Sequence, residues 1–189
     1  MPLAVSVQVP ASSANLGPGF DCLGLALDIY LRVSCQAGGD ELRIFATEPG
    51  VALDASNLVY QAMQRVFEAV GQQMPGLELR IDNSIPLSRG LGSSAAAIAA
   101  GLLLANGLCG EPFEHARLLD LGLPLEGHAD NLAPALFGGL RVSAVAGGQV
   151  LSLPVQLARA PEVALFVPDF AISTPEARHV LPDSVPRAD

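Results

Sequence analysis

Pro86-Leu-Ser-Arg-Gly-Leu-Gly-Ser-Ser-Ala-Ala96, with the apolar run that follows it to Ala105, decides how this chain reads. Ala95 to Ala105 is rich in Ala and Leu and poor in β-branched residues, which favours a buried helix over a strand. Gly90 and Gly92 let the preceding backbone turn and come close to a ligand without a Cβ penalty. Ser93 and Ser94 fall where the first helical N–H groups point outward. Free N–H groups at the positive end of a helix dipole suit an anion such as a phosphate chain. An ordinary serine cap on a core helix, preceded by a flexible turn, fits the same residues. The pattern is neither G-x-x-x-x-G-K-[ST] nor G-x-G-x-x-G.

Composition narrows the options. The 189 residues fit one domain or slightly more, and 50% of them are hydrophobic, enough for a sizeable core. The net charge is −9, and all 10 basic residues are Arg. A basic nucleic-acid binder and a polybasic membrane anchor are both excluded. Without Lys, no phosphate-clamping lysine and no Schiff base can come from this chain. Cys22, Cys35 and Cys109 are odd in number and widely spaced, so neither a disulfide framework nor a metal pair is indicated and a reducing cytoplasm is expected. No signal peptide is evident, and the longest apolar run falls well short of the roughly 20 residues that span a bilayer.

Outward from the central loop, Leu3 to Val9 alternates as a half-buried strand and enters a Gly/Pro/Ser-rich loop, Pro10 to Gly19. Ile29 to Gln36 and Glu41 to Ala46 predict two strands joined as a hairpin at Gly38-Gly39-Asp40. Asn57 caps a predicted helix whose Val59, Met63, Val66 and Val70 share one face, with Gly71 as its stop. Leu77 to Asp82 predicts a strand. Phe113 to Leu121 and Asp130 to Leu136 predict helices. Gly139 to Ala146 and Gln149 to Leu153 predict a hairpin, and Val163 to Val167 a last strand. Strands and helices mix without strict alternation, which predicts an α+β fold. The tail from Thr174 to Asp189 is rich in Pro and charge.

Three further segments carry candidate chemistry. Pro10-Ala-Ser-Ser-Ala-Asn-Leu-Gly-Pro-Gly-Phe-Asp21 gathers Ser12, Ser13, Asn15 and Asp21 after a buried strand; it suits a polar pocket wall, or a tight turn whose Asn and Asp satisfy backbone groups. Glu126-Gly-His-Ala-Asp-Asn131 packs carboxylate, imidazole and amide together. Glu126 suits a hard cation such as Mg²⁺; no second His or Cys stands at zinc spacing around His128. Asp130 or Asn131 equally suits a helix cap. Ser173-Thr-Pro-Glu-Ala-Arg178 offers Arg178 as a carboxylate fork, or as a solvated surface charge. His115 and His179 read as surface or cap residues.

Together these four segments resemble the homoserine kinases of the GHMP small-molecule kinase family. P-A-S-S-A-N-L-G-P-G-F-D (Pro10–Asp21), P-x-x-x-G-L-G-S-S-A-A (Pro86–Ala96), E-G-H-A-D-N-L-A-P-A-L-F-G-G (Glu126–Gly139) and S-T-P-E-A-R-H-V-L-P (Ser173–Pro182) occur in the family's order. G-L-G-S-S-A is common to the wider family, whereas the first motif is particular to the homoserine branch. Relatives acting on isoprenoid alcohols usually carry Lys in that first motif.

The resemblance implies a GHMP kinase N-terminal domain, an α+β, ribosomal-protein-like two-layer sandwich with a left-handed βαβ unit. It implies an ATP-binding domain over residues 1–168 and, over 169–189, the start of a truncated C-terminal domain, since the family's further Gly/Ser motif and second substrate-binding Arg have no counterpart. ATP and Mg²⁺ are the implied cofactors and L-homoserine the implied substrate; a homodimer is compatible with this reading. By matching position, Asn57 lies near the adenine. Pro86, Leu87, Ser88, Arg89, Gly90, Leu91, Gly92, Ser93, Ser94, Ala95 and Ala96 wrap the phosphates, and Ser94 and Glu126 hold Mg²⁺. Asn15, Asp21, His128, Asn131, Thr174 and Arg178 contact the substrate, with Asp21 and Asn131 as the catalytic pair.

Overall fold

The computed structural model describes residues 4–159, 162–167, 169–170, 179–180, 182 and 184. Within them the chain forms one six-stranded sheet and four helices. β1 (Ala4–Ala14) runs antiparallel along the whole of β2 (Leu23–Ala37). The other edge of β2 is shared: β4 (Leu77–Asn83) pairs with its second half, and β5 (Leu140–Ala146) with its beginning. β3 (Leu42–Ala46) lies outside β4, and β6 (Gln149–Pro154) closes the far edge beside β5.

Two expectations need correction here. The Gly38-Gly39-Asp40 turn does not join a hairpin: β4 is inserted between β2 and β3, and β3 pairs with β4 in parallel. Local turn chemistry reports that the chain reverses there, and says nothing of which strand fills the gap. Val163 to Val167 forms no strand, because this exposed stretch finds no ladder partner among the described residues. Other boundaries move outward. β1 runs on through Pro10 to Ala14, crossing a register shift between Pro10 and Ala11. β2 begins at Leu23 rather than Ile29.

The sheet has one dry face. Val9, Leu31, Val33, Cys35, Leu77, Leu79 and Ile81 point into the core, while Ser6, Gln8, Arg32, Arg80 and Asp82 alternate to the outside. α2 (Ser93–Leu108) lies against β1 and β2, with α1 (Leu58–Val70) and α3 (His115–Glu126) beside it. α4 (Ala129–Phe137) rests on β1, β2 and β5. α2 is apolar on every side because it is enclosed on every side; Ala95, Ala99, Leu102 and Leu104 are all fully buried. α1 forms as its pattern predicts. Asn57 Oδ1 accepts from Val59 N at 2.9 Å, a cap worth about 1 kcal/mol, and Val59, Met63 and Val66 are buried. α3 continues through Pro124 to Glu126, five residues beyond the predicted Leu121 end, and this places Glu126 at the helix C-terminus.

The β5–β6 hairpin differs from the rest of the sheet on its outer face. Val142 pairs with Leu153 and Ala144 with Leu151, and all four are exposed. Among the described residues no helix is long and apolar enough to cross a membrane.

Candidate active site

The site begins where β4 ends. Buried Asn83 closes a tight turn, its Oδ1 accepting from Ile85 N at 3.0 Å and its Nδ2 donating to Ile85 O at 3.0 Å. That turn launches the Pro86–Gly92 loop towards the N-terminus of α2. Ser88 takes a positive φ of 55° within it. Ser12 N donates to Leu91 O at 3.1 Å, so the loop is stitched to β1. Gly92 precedes α2 with φ 65°, and a Cβ there would stand 2.1 Å from Ser12 Oγ. Only glycine meets both demands. Ala96 N bonds to Gly92 O at 2.9 Å, and the N–H groups of Ser93, Ser94 and Ala95 precede it at the open end of the helix.

The mouth of α2 opens into a cleft of about 1260 Å³. Pro86 to Ser94 line one wall, Asn15 and Phe20 another, and Glu126, His128, Asp130 and Asn131 a third. Asn57 lines the far end, but its carboxamide is committed: besides capping α1, Nδ2 donates to Ala52 O at 2.6 Å. Ala95 and Ala96 belong to the core at 0% exposure, and Ala97 reaches the cleft instead. Their methyl groups are buried, which leaves only their backbone for the role that the resemblance implies. Arg89 reaches the later chain, its Nη2 donating to Asp169 O at 3.0 Å, while Phe170 lines the cleft. Thr174 and Arg178 lie outside the described residues.

Ser94 and Glu126 meet across this mouth. α2 and α3 pack so that the start of one lies beside the end of the other, and the Ser94 hydroxyl stands close enough to the Glu126 carboxylate to favour its ionised form. Burial pushes the Glu126 carboxyl up to about 7; the Ser94 hydroxyl opposes this, and neighbouring Asp130 adds to it. Asp130 is also held above its ordinary value, first by burial, with the bond from Asn131 N at 2.9 Å opposing and the Asp21 carboxylate reinforcing. Among the described residues Glu126 forms no ion pair, and His128 partly balances Asp130. Glu126 and Ser94 supply hard oxygen donors of the kind Mg²⁺ takes, and an ion that keeps water and phosphate ligands needs few of them. Among the described residues no group of three or more His, Cys, Asp or Glu is arranged to hold a metal ion.

The first motif is bent to reach the same place. Asn15, Leu16 and Asp21 have φ values of 70°, 40° and 57°. Such strain in ordinary residues persists only where the surroundings enforce it. Asn15 Oδ1 accepts from Asp21 N at 3.0 Å, and the Asp21 carboxylate lies near Asp130. His128 is the N-cap residue of α4, a place predicted for Asp130 or Asn131. α4 approaches β2 so closely that a Cβ on Gly24 would stand 1.7 Å from Asp130 O. Two residues here fall outside the phosphate, metal and substrate sets that the resemblance implies, Ser12 and Asp130. Asp130 reads as a cap until α4 is seen to bury it. Ser12 is fully buried beside Ala11, two residues past the start of the Pro10/Ala11 register shift.

Comparison with known proteins agrees with this geometry. Residues 57–139 match the family described as GHMP kinases N terminal domain. A homoserine kinase of Microchaete diplosiphon is 45% identical over 192 aligned residues, which cover 98% of this chain and 62% of that protein. The chain thus spans about three fifths of the length of the curated relatives it matches. Among solved structures, homoserine kinase from Cytophaga hutchinsonii superposes with a TM-score of 0.81 at 30% identity, over 97% of this chain and 61% of that one. Mevalonate kinase from Methanococcus jannaschii shares the fold, with a TM-score of 0.66 at 14% identity over 82% of this chain and 56% of that one. The uncapped helix mouth, the Ser–Glu pair beside it and these relatives point the same way: residues 57–139 match the GHMP kinases N terminal domain, and the chain is similar to about three fifths of the homoserine kinases.

Proposed function

We propose that this chain carries the nucleotide and substrate sites of an ATP-dependent kinase that converts L-homoserine to O-phospho-L-homoserine, with ADP as the other product. The observation that carries the reading is the meeting of Ser94 and Glu126 at the uncapped start of α2, within reach of the Asn15–Asp21 turn. Triphosphate binding falls to the N–H groups of Ser93, Ser94 and Ala95 and to the Pro86–Gly92 backbone. These donors are fixed by the fold, so they need no reorganisation when charge shifts during transfer. Glu126 and Ser94 would hold Mg²⁺, which supplies charge neutralisation on the phosphate oxygens when bound. Asp21 presents a carboxylate to the substrate's ammonium or hydroxyl, while His128 and Asn131 border the same space. Asp21 and Asn131 form the catalytic pair in this reading, one accepting from the substrate and one donating to it. Phosphoryl transfer depends mainly on alignment and charge, so no strong base is required of these residues.

ADP release from the 189-residue chain with L-homoserine tests the reading. Turnover with homoserine ahead of mevalonate and other small alcohols supports it. Nucleotide binding without turnover on any alcohol would reduce the chain to a binding fragment. Asp21→Asn should raise the KM for homoserine at least tenfold and leave the KM for ATP within about twofold; equal losses in both would remove Asp21 from the substrate site.

A further inference from the structure

Ser12 is a buried polar residue at the cleft that the proposed chemistry leaves unused. It is fully buried, and its N–H already serves the Gly loop. Its Oγ lies 2.9 Å from Asn131 Oδ1 and 3.2 Å from Asn131 O, donating to that one residue from 119 positions away. The same Oγ occupies the space that a Cβ on Gly92 would need. One hydroxyl therefore sits between the strand β1, the mouth of α2 and the first turn of α4. Resting on the kinase reading above, we infer that Ser12 is a positioning residue for Asn131: it holds Oδ1, fixes the plane of the carboxamide, and leaves Nδ2 as the donor on the cleft side.

The physical reason is geometric. Asn131 is half-buried on the cleft wall, and an amide free to rotate would present oxygen or nitrogen alike to an incoming oxyanion. Oxygen facing a phosphoryl oxygen is repulsive, and nitrogen is attractive. With the Ser12 hydroxyl donating to Oδ1, the carboxamide is held in one plane with Nδ2 to the cleft before substrate arrives, so less ordering is needed in the transition state. Because Ser12 also bonds the Leu91 carbonyl through its N–H, the amide is aligned to the loop that receives the phosphates.

The test has two independent arms on the full chain. In ¹⁵N NMR, the Asn131 side-chain NH₂ pair should show a heteronuclear NOE close to that of the α4 backbone, and Ser12→Ala should lower it. In the ADP-release assay, Ser12→Ala should reduce kcat roughly ten- to a hundredfold with the KM for ATP within about twofold. The same change in an Asn131→Ala background should alter kcat less than twofold, since Ser12 then has nothing to orient. Ser12→Cys guards against loss of folding. A weak S–H donor should retain more kcat than Ala. Additive losses in the double variant, Cys below Ala, or an NH₂ NOE unchanged by Ser12→Ala would each overturn the inference. Absence of turnover in the unmodified chain would count against the kinase reading alone, because the NMR arm still decides the role of Ser12.

Discussion

Glu126 shows how one side chain links burial to chemistry. Its carboxyl titrates at about 7 in the folded chain against an ordinary 4.5. Between those values the folded state holds a proton that the unfolded state has released, so stability falls as pH rises through that window. Asp130 shifts in the same direction and reinforces the trend. A divalent cation binds only the ionised form, so Mg²⁺ affinity should be weaker at pH 6 than at pH 8, and binding at pH 6.5 should release a proton. Calorimetry in two buffers of different ionisation enthalpy measures both. Equal affinity at the two pH values, or a Glu126→Gln variant that still releases the proton, would separate Glu126 from the metal. Gly92 makes a second residue-scale prediction. Ala there combines φ 65° with a 2.1 Å contact on Ser12 Oγ. Unfolding in urea should report a loss of about 1–3 kcal/mol, with nucleotide affinity lost as well.

At the scale of elements, α2 holds the domain together and the loop before it lines the cleft. Leu102 is fully buried between the sheet and α3. Leu102→Ala should therefore cost about 2–5 kcal/mol by denaturant unfolding while the remaining folded protein binds nucleotide normally. A loss under 1 kcal/mol would mean that α2 is not the packing centre. Much of this was readable from the residues. The Ala/Leu run of α2, the Val59–Met63–Val66 face of α1 and the alternation of β4 each answer to local rules. The Ser94–Glu126 pairing came from family resemblance, because two residues on different helices meet only through tertiary packing. The strand order was not readable either. Gly38-Gly39-Asp40 looks the same whether β3 folds back on β2 or steps past β4, and the choice rests on side-chain burial over the whole sheet. Asp130 was hidden for a similar reason: capping residues and buried site carboxylates share a sequence appearance.

Over the whole molecule, charge works against the proposed ligand. The net charge is −9, with no Lys to offset a highly anionic nucleotide. Backbone dipoles and a cation must provide the attraction at short range while the long-range field repels. Nucleotide association in the presence of Mg²⁺ should therefore quicken between 20 and 200 mM salt as that repulsion is screened, the reverse of a lysine-lined site. Stopped-flow fluorescence of a labelled nucleotide reads the rate. Slower association at higher salt would show that local positive charge dominates the approach.

The placement of β3 outside β4 also dictates an order of events on the ribosome. When Leu42–Ala46 leaves the exit tunnel, the edge that will receive it has not been made. It must wait, unpaired, until α1 and then Leu77–Asn83 have emerged and β4 has docked on β2. In pulse-labelled hydrogen exchange during refolding, the amides of β3 should gain protection after those of β1 and β2. A nascent chain halted before residue 77 should leave them fully open to exchange.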